Sequence, residues 1–317
     1  MSRPVLTVVM PNYNHSRYLD RVIGTVVSQT RPPDEFIILD DASTDDSVER
    51  ISSWVQRYPS IRFIRNEKNA GVIAAHQRLF DMARGDYLYP ASADDDLLPS
   101  FFERAMEMAE RYPRAGVICG QMVIADEHSR ELDLIDVRRW REPLYASPER
   151  FLQEYLEVEE PSHAFTSSTI FRRQCLAEVQ WFRPELGSWS DTFAIRAIGL
   201  KEGVCYVPER FSIWRQLPQN FSSKSRHDYR HMLDLIARAV YLMQQPEFCD
   251  RFPPSHVRRW ERRYRWRVLK DYLRGNLTRK GSGMGEQCQL YARCLRRSLG
   301  ALSLAAYRGD LSCFARG

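Results

Sequence analysis

The sequence holds no C-x-x-C pair, and its seven cysteines (Cys119, Cys175, Cys205, Cys249, Cys288, Cys294 and Cys313) are odd in number and scattered. Disulfide frameworks and structural zinc sites need regular cysteine spacing, so the pattern argues against both and reduced thiols are expected. Neither G-x-G-x-x-G nor G-x-x-x-x-G-K-[ST] occurs, which speaks against a dinucleotide-dependent dehydrogenase and a P-loop ATPase. No run approaches the roughly 18 apolar residues of a membrane-spanning helix. The opening MSRPVLTVVMPNYN lacks the basic region, long apolar core and cleavage site of a secretory leader. A cytoplasmic location is the expectation.

What is present suffices for a large core: 317 residues, 44% of them hydrophobic. The net charge of +5 hides an asymmetry. Residues 225–317 carry 19 Lys/Arg against 8 Asp/Glu, a balance of +11, which leaves −6 on residues 1–224. Two regions with different partners are implied, 1–220 and a basic 221–317.

The amino-terminal half alternates two periodicities. VLTVVM (5–10) is a short β-branched run, after which Leu19, Val22, Ile23, Val26 and Val27 recur at helical spacing. EFIILDD (35–41) predicts a second strand, followed by Ser43 and Thr44 as candidate helix caps. IRFIRN (61–66) and DYLYP (86–90) are the third and fourth strands, and a helix over 99–112 opens with Pro99 in its first turn. Further on, AGVICGQMVIAD (115–126) and HAFTSSTIFRR (163–173) read as strands. The 147–157 stretch reads as a short helix capped by Ser147, 189–203 as a helix ended by Gly203, and 204–215 as short strands. No strand is expected in the last ninety-odd residues.

Strand-helix units in tandem predict an α/β fold with a doubly wound, mostly parallel sheet and a helical carboxyl-terminal region. Ligands of such sheets bind outside the carboxyl ends of the strands. The residues there are Pro11–Asn14, Asp40–Asp41, Asn66–Asn69 and Ser92–Asp96, and two of the four exits are acidic. Asp94, Asp95 and Asp96 suit a hard divalent cation shared with substrate phosphates, or simply the positive end of the helix that follows. An Asp at the second exit can close a turn, or accept the N3–H of uracil or thymine or the N1–H of guanine, a donor that cytosine lacks.

Taken in order, VVMPNYNHSRYLDRVIGTVVSQT, IILDDASTDDS, NEKNAGVIAAHQ, ARGDYLYPASADDDLLP and WSDTFAIRAIGLKEG resemble the inverting family-2 glycosyltransferases with the GT-A fold, over residues 4–215. The resemblance implies transfer of a sugar from a nucleoside-diphosphate sugar, with UDP or dTDP ahead of GDP, to a hydroxyl of a saccharide or lipid-linked acceptor. It also implies Mn²⁺ or Mg²⁺ as cofactor and a place in bacterial cell-surface polysaccharide synthesis. By the same resemblance Pro11, Tyr13 and Asn14 line the base pocket, Asp41 holds the base, and Asn69 and Gly71 pack against the nucleotide. Asp94 touches the cation with Asp95 beside it, Asp191 is the catalytic base and Arg215 is a diphosphate contact. Ser92 stands where the family has the first acid of D-x-D, with Asp96 as the compensating metal acid or a helix-end acid. Ser190 stands where the family commonly has another acid, and His76 is a residue with either a direct or a helix-surface role.

The 126–160 stretch, with Trp140, Arg141 and Tyr145, and residues 162–173 are expected to face the acceptor. Residues 214–222 are expected to close over the donor phosphates. Trp181, Trp189 and Trp214 are candidates for stacking on sugars or for burial. HVRRWERRYRWRVLKDYLRGNLTRK (256–280) interleaves cations with aromatics. That pattern fits packing or homo-oligomer contact, a peripheral membrane surface or, last of the three, nucleic acid. A non-catalytic GT-A-like binding or assembly module, acting through these basic helices, is the alternative to an enzyme.

Overall fold

In the computed structural model, which describes residues 3–158, 165–217 and 228–280, the first apolar run becomes strand β1 (Leu6–Asn12), buried along its whole length. The stripe that follows becomes helix α1 (Ser16–Val27), whose Tyr18, Leu19, Val22, Ile23 and Val26 face the core. The alternation continues through β2 (Glu35–Asp40), α2 (Ser47–Arg57), β3 (Ile61–Arg65), α3 (Val72–Met82) and β4 (Tyr87–Pro90). Strands β1, β2, β3 and β4 are parallel; burial explains the nearly unbroken apolar sequence of β1, β2 and β4, whereas β3, at the sheet edge, carries two exposed arginines.

The remaining elements of this layer are β5 (Asp96–Leu97), α4 (Phe101–Arg111), β6 (Val117–Ala125), β7 (Glu131–Ile135), β8 (Leu144–Ala146), α5 (Pro148–Arg150), β9 (Thr169–Arg172), α6 (Arg173–Glu178), α7 (Ser190–Glu202) and β10 (Val204–Arg215). The ten-stranded sheet runs β3-β2-β1-β4-β9-β6-β10-β5, with β7 on β6 and β8 on β10. β9 is antiparallel to both of its neighbours, β4 and β6. The strand order reverses direction between β1 and β4, the place where such sheets open a crevice.

One proline, Pro11, fixes that opening. The last rung of the β1–β4 ladder is Val9 with Pro90, whereas β1 stays paired with β2 to Asn12 and Asp40. The Ala91 amide still donates to the Val9 carbonyl at 2.8 Å, and the next donor on the β4-facing side of β1 would be Pro11, which has no amide proton with which to prolong the ladder. The two strands therefore part at their carboxyl ends.

Several elements differ from the sequence expectation, each for a local reason. Ser43 does not cap α2. The chain turns through Ala42 at φ 63°, Asp46 is the cap residue, and the Ser43 side chain faces Asp40 and Asn12. Residues 204–215 form one long strand rather than several, with register shifts around Pro208 that absorb its missing amide. Only Thr169–Arg172 of the 163–173 segment is a strand, preceded by a single 3-10 turn; residues 163–164 lie outside the described residues. Asp96 is not at a helix end, because it lies in β5, paired with Ile213 of β10. The 147 cap is as expected: Ser147 Oγ accepts from the Arg150 amide, and the helix continues as a π-turn over Phe151–Leu156. Gly203 ends α7 at φ 76°, a left-handed position natural to glycine.

The chain divides into two compact units, Met1–Pro218 and Gln219–Gly317. In the second, α8 (Tyr229–Met243) is capped by Asp228, whose carboxylate accepts from the Arg230 and His231 amides. It is followed by α9 (Pro254–Lys280). The described part of this unit has no strand. Helix α9 buries His256, Val257, Trp260, Tyr264, Val268 and Leu269, while Arg258, Arg259, Arg262, Trp266 and Lys270 are exposed. No helix among the described residues is long and apolar enough to cross a membrane.

Candidate active site

Beyond the parting of β1 and β4, the strand exits knit together. Asp40, wholly buried at the end of β2, accepts from the Ser43 amide at 2.9 Å, the Ser43 hydroxyl at 2.6 Å and Asn12 Nδ2 at 2.8 Å. Three donors offset the desolvation of a carboxylate that makes no ion pair among the described residues. Asn14 adopts φ 57°, a conformation Asn tolerates well. From there its side-chain oxygen accepts from the Thr44 amide at 2.8 Å and the Asp45 amide at 3.3 Å, which locks the first exit to the second. Pro11 is buried, and Tyr13 is 43% exposed, an aromatic face at the mouth of the crevice.

Asp41 joins the third exit. One oxygen accepts from Asn66 Nδ2 at 2.6 Å and the Ala70 amide at 3.0 Å; the other accepts from the Gly71 amide at 2.8 Å. Those two amides lie at the amino end of α3, so the carboxylate caps that helix from a distance. Gly71 has φ 87°, and a Cβ there would meet nothing within 4 Å, so backbone conformation rather than space calls for glycine. Asn69 is exposed beside it.

The three acids after β4 do separate work. Asp96 accepts from Arg21 Nε at 2.6 Å and from Arg215 Nη2 at 2.5 Å, one on each oxygen. Arg215, at the end of β10, also donates through Nη1 to Ser129 Oγ at 2.9 Å and through its backbone amide to Asp95 at 2.9 Å. The pair that was expected to meet a cation and a diphosphate thus also ties β5 and β10 to α1. Asp95 is buried; burial first, and then the Asp94 charge, push it well above the usual carboxylate range, against the Arg215 amide and the Ser92 hydroxyl, which lower it. Ser92, in the place of an acid, thus works to lower Asp95 rather than adding a charge beside it. Asp94 faces the first exit, with its Oδ2 4.0 Å from His15 Nε2.

Adjacent Asp94 and Asp95 offer hard oxygen donors, and a divalent cation there would relieve the repulsion that raises Asp95, so these residues fit Mn²⁺ or Mg²⁺. Among the described residues no group of three His, Cys, Asp or Glu side chains is arranged as a metal centre. Mg²⁺ sites of this type commonly use one or two carboxylates and leave the rest to phosphates and water.

Asp191 opens α7, partly buried, and its Oδ1 accepts from the Thr192 amide at 2.6 Å. Desolvation pushes its carboxyl up to about 6, against the Thr192 hydrogen bonds and the Arg196 charge. A carboxylate so raised is ionised at neutral pH yet a stronger base than a surface aspartate. Among the described residues, no hydrogen bond or ion pair joins it to the Asp94–Asp96 cluster. Ser190, its neighbour, is turned inward and donates to the carbonyls of Arg183 and Gly187.

His76 is packed rather than presented. It contacts the rings of Phe80 and Phe182, and burial drops its imidazole to about 4. Trp140, expected to face an acceptor, is 2% exposed and donates to Glu154 at 2.7 Å. Tyr145 stacks on Tyr112, and Trp181 stacks on Phe80; Arg141 is exposed. Residues 159–164 and 218–222 of the expected acceptor and phosphate loops lie outside the described residues. Arg21 and His15 were not singled out from sequence; Asn12 and Asn66 stood among the strand exits without an assigned role, and Ser43 was read only as a helix cap.

The sequence profile of glycosyl transferase family 2 matches residues 7–179. An uncharacterised glycosyltransferase of Methanocaldococcus jannaschii is 24% identical over 252 residues, 79% of this chain and 83% of that one. The fold is that of two solved GT-A structures. One is Staphylococcus aureus TarS residues 1–349 in complex with UDP, with a TM-score of 0.62 and 15% identity over 94% of this chain and 81% of that one. The other is the Pyrobaculum calidifontis mannosyltransferase in complex with GDP-mannose and Mn²⁺, with a TM-score of 0.61 and 16% identity over 99% and 81%.

Proposed function

Because the chain belongs to glycosyl transferase family 2, we propose that it transfers a sugar from a nucleoside-diphosphate sugar to a hydroxyl of a saccharide or lipid-linked acceptor, with inversion at the anomeric carbon. The observation that carries this reading is the crevice between β1 and β4, where an exposed Tyr13 and the Asp41 carboxylate stand on one side and the buried Asp94–Asp95 pair on the other. In it the base lies against Tyr13 and Pro11, with Asn69 and Gly71 flanking the nucleotide. The base N–H reaches Asp41 in place of Asn66 Nδ2, the one side-chain donor that the carboxylate now holds. This favours UDP or dTDP, then GDP.

Asp94, with Asp95 behind it, would hold Mn²⁺ or Mg²⁺, and the cation when bound would offset charge on the departing diphosphate. Asp191 accepts the proton of the acceptor hydroxyl as that oxygen forms its bond to the anomeric carbon. The bond from that carbon to the diphosphate oxygen breaks in the same displacement, so configuration inverts. Asp96 and Arg215 keep the exit of β4 in register with β10 and lie beside the metal site; any contact of Asp96 with the cation or of Arg215 with the diphosphate adds to that role. The exposed cations of α9 are assigned to an anionic membrane face that carries a lipid-linked acceptor. Thermal melts with UDP-, dTDP- and GDP-sugars, each with and without Mn²⁺, test the reading. One base class should raise the melting temperature in a Mn²⁺-dependent way, and no shift with any of them would overturn it.

A further inference from the structure

His15 is the residue between β1 and α1, and neither of its ring nitrogens makes a hydrogen bond among the described residues. Nδ1 is shut away from water with no partner. Nε2 lies at the crevice, 4.0 Å from Asp94 Oδ2, beyond hydrogen-bond reach, on a side chain 30% exposed. A buried N–H without an acceptor is a rarer and costlier orphan than a buried lone pair. The neutral ring therefore carries its proton on Nε2. That places an N–H donor beside the carboxylate assigned above to the cation, with the amino end of α1, the positive end of its dipole, at the next residue.

We propose that His15 donates its Nε2–H to a diphosphate oxygen of the sugar donor, and so binds the leaving group next to Asp94; this rests on the transferase reading above. When the anomeric carbon–oxygen bond breaks, its electron pair goes to the diphosphate, and the acceptor's proton goes to Asp191. His15 keeps its own proton and gains a stronger hydrogen bond as charge collects on the departing oxygen.

The test is calorimetry on Mn²⁺-saturated full-length protein with UDP, dTDP and GDP and, separately, their parent nucleosides. In His15→Ala the nucleoside diphosphate that binds wild type should bind roughly tenfold or more weakly, the scale of one hydrogen bond to a charged group, while its nucleoside binds as before. His15→Gln, whose amide N–H can stand near the position of Nε2, should recover most of the loss. Equal weakening of nucleoside and diphosphate, or none of either, would overturn the proposal. A nitrogen coupling to Mn²⁺ in pulsed EPR of wild type that vanishes in His15→Ala would also overturn it, because His15 would then be a metal ligand. Wild-type protein that binds none of the three diphosphates would overturn the transferase reading itself, and this proposal with it.

Discussion

Asp41 and Gly71, 30 residues apart in sequence, are joined by a 2.8 Å hydrogen bond from the glycine amide to the carboxylate. A residue that resembles a base-binding aspartate is at the same time the cap of a helix. Asp41→Ala should therefore cost about 1 kcal/mol of stability in the absence of any nucleotide, because the part-buried amides at the start of α3 lose their acceptor. Urea unfolding of ligand-free protein reads this, and an unchanged midpoint would show that the cap contributes nothing.

Gly71→Ala isolates the backbone part of the same corner. With φ at 87° and open space around the Cβ position, the cost is conformational, about 1 kcal/mol. The expected result is a lower melting temperature of the ligand-free protein. An equally stable variant would mean that the turn relaxes freely.

Asp191→Asn separates catalysis from stability. Turnover should fall roughly 10²-fold or more while donor affinity holds, and wild-type kcat should rise with pH through about 6, the value to which burial lifts the carboxyl. The folded protein binds this proton more tightly than the unfolded chain, so the residue's contribution to stability is full below about 3.8 and is lost as pH rises through about 6. Asn carries no charge, so the variant should melt higher than wild type at pH 7.5 and show no such gain at pH 4. Wild-type turnover in the variant would remove Asp191 from the reaction.

Asp94→Asn and Asp96→Asn should part company. The first should weaken Mn²⁺ and donor binding with a modest change in melting temperature. The second takes the carboxylate charge away from Arg215 Nη2, on a side chain 2% exposed, and loss of one partner of a buried ion pair costs about 3 kcal/mol. Titrating Mn²⁺ into both variants, with melts alongside, distinguishes the roles. Equal metal affinity in wild type and Asp94→Asn would reject Asp94 as the ligand.

Reversing Arg258, Arg262 and Lys270 to Glu should abolish co-sedimentation with vesicles containing phosphatidylglycerol and leave donor hydrolysis intact. Each cation contributes about 1 kcal/mol at an anionic surface. Unaltered vesicle binding would count against a membrane role for α9.

The sequence made the parallel strands and their polar exits readable because both rest on local pattern: apolar runs of fixed length followed by Asn, Asp or Ser. Non-local pairings left no such mark. Strand β5 exists because Asp96 meets Ile213, and Arg215 reaches Asp96 across 119 positions. Nothing in DDD distinguishes its three members until those partners arrive. His15 and Arg21 were invisible as site residues because they read only as a loop residue and a solvated helix position, and Trp140 looked available because a tryptophan in a loop-rich stretch carries no sign of the Glu154 that holds it inside.

The parting of β1 and β4 is written in one residue that lacks an amide proton, Pro11, so it belongs to the main chain and not to a side-chain gate. A nucleotide arriving there spends none of its binding free energy on separating strands. Selectivity among donors is left to the loops that rim the gap, and these can change residue by residue while the opening itself stays where Pro11 ends the ladder.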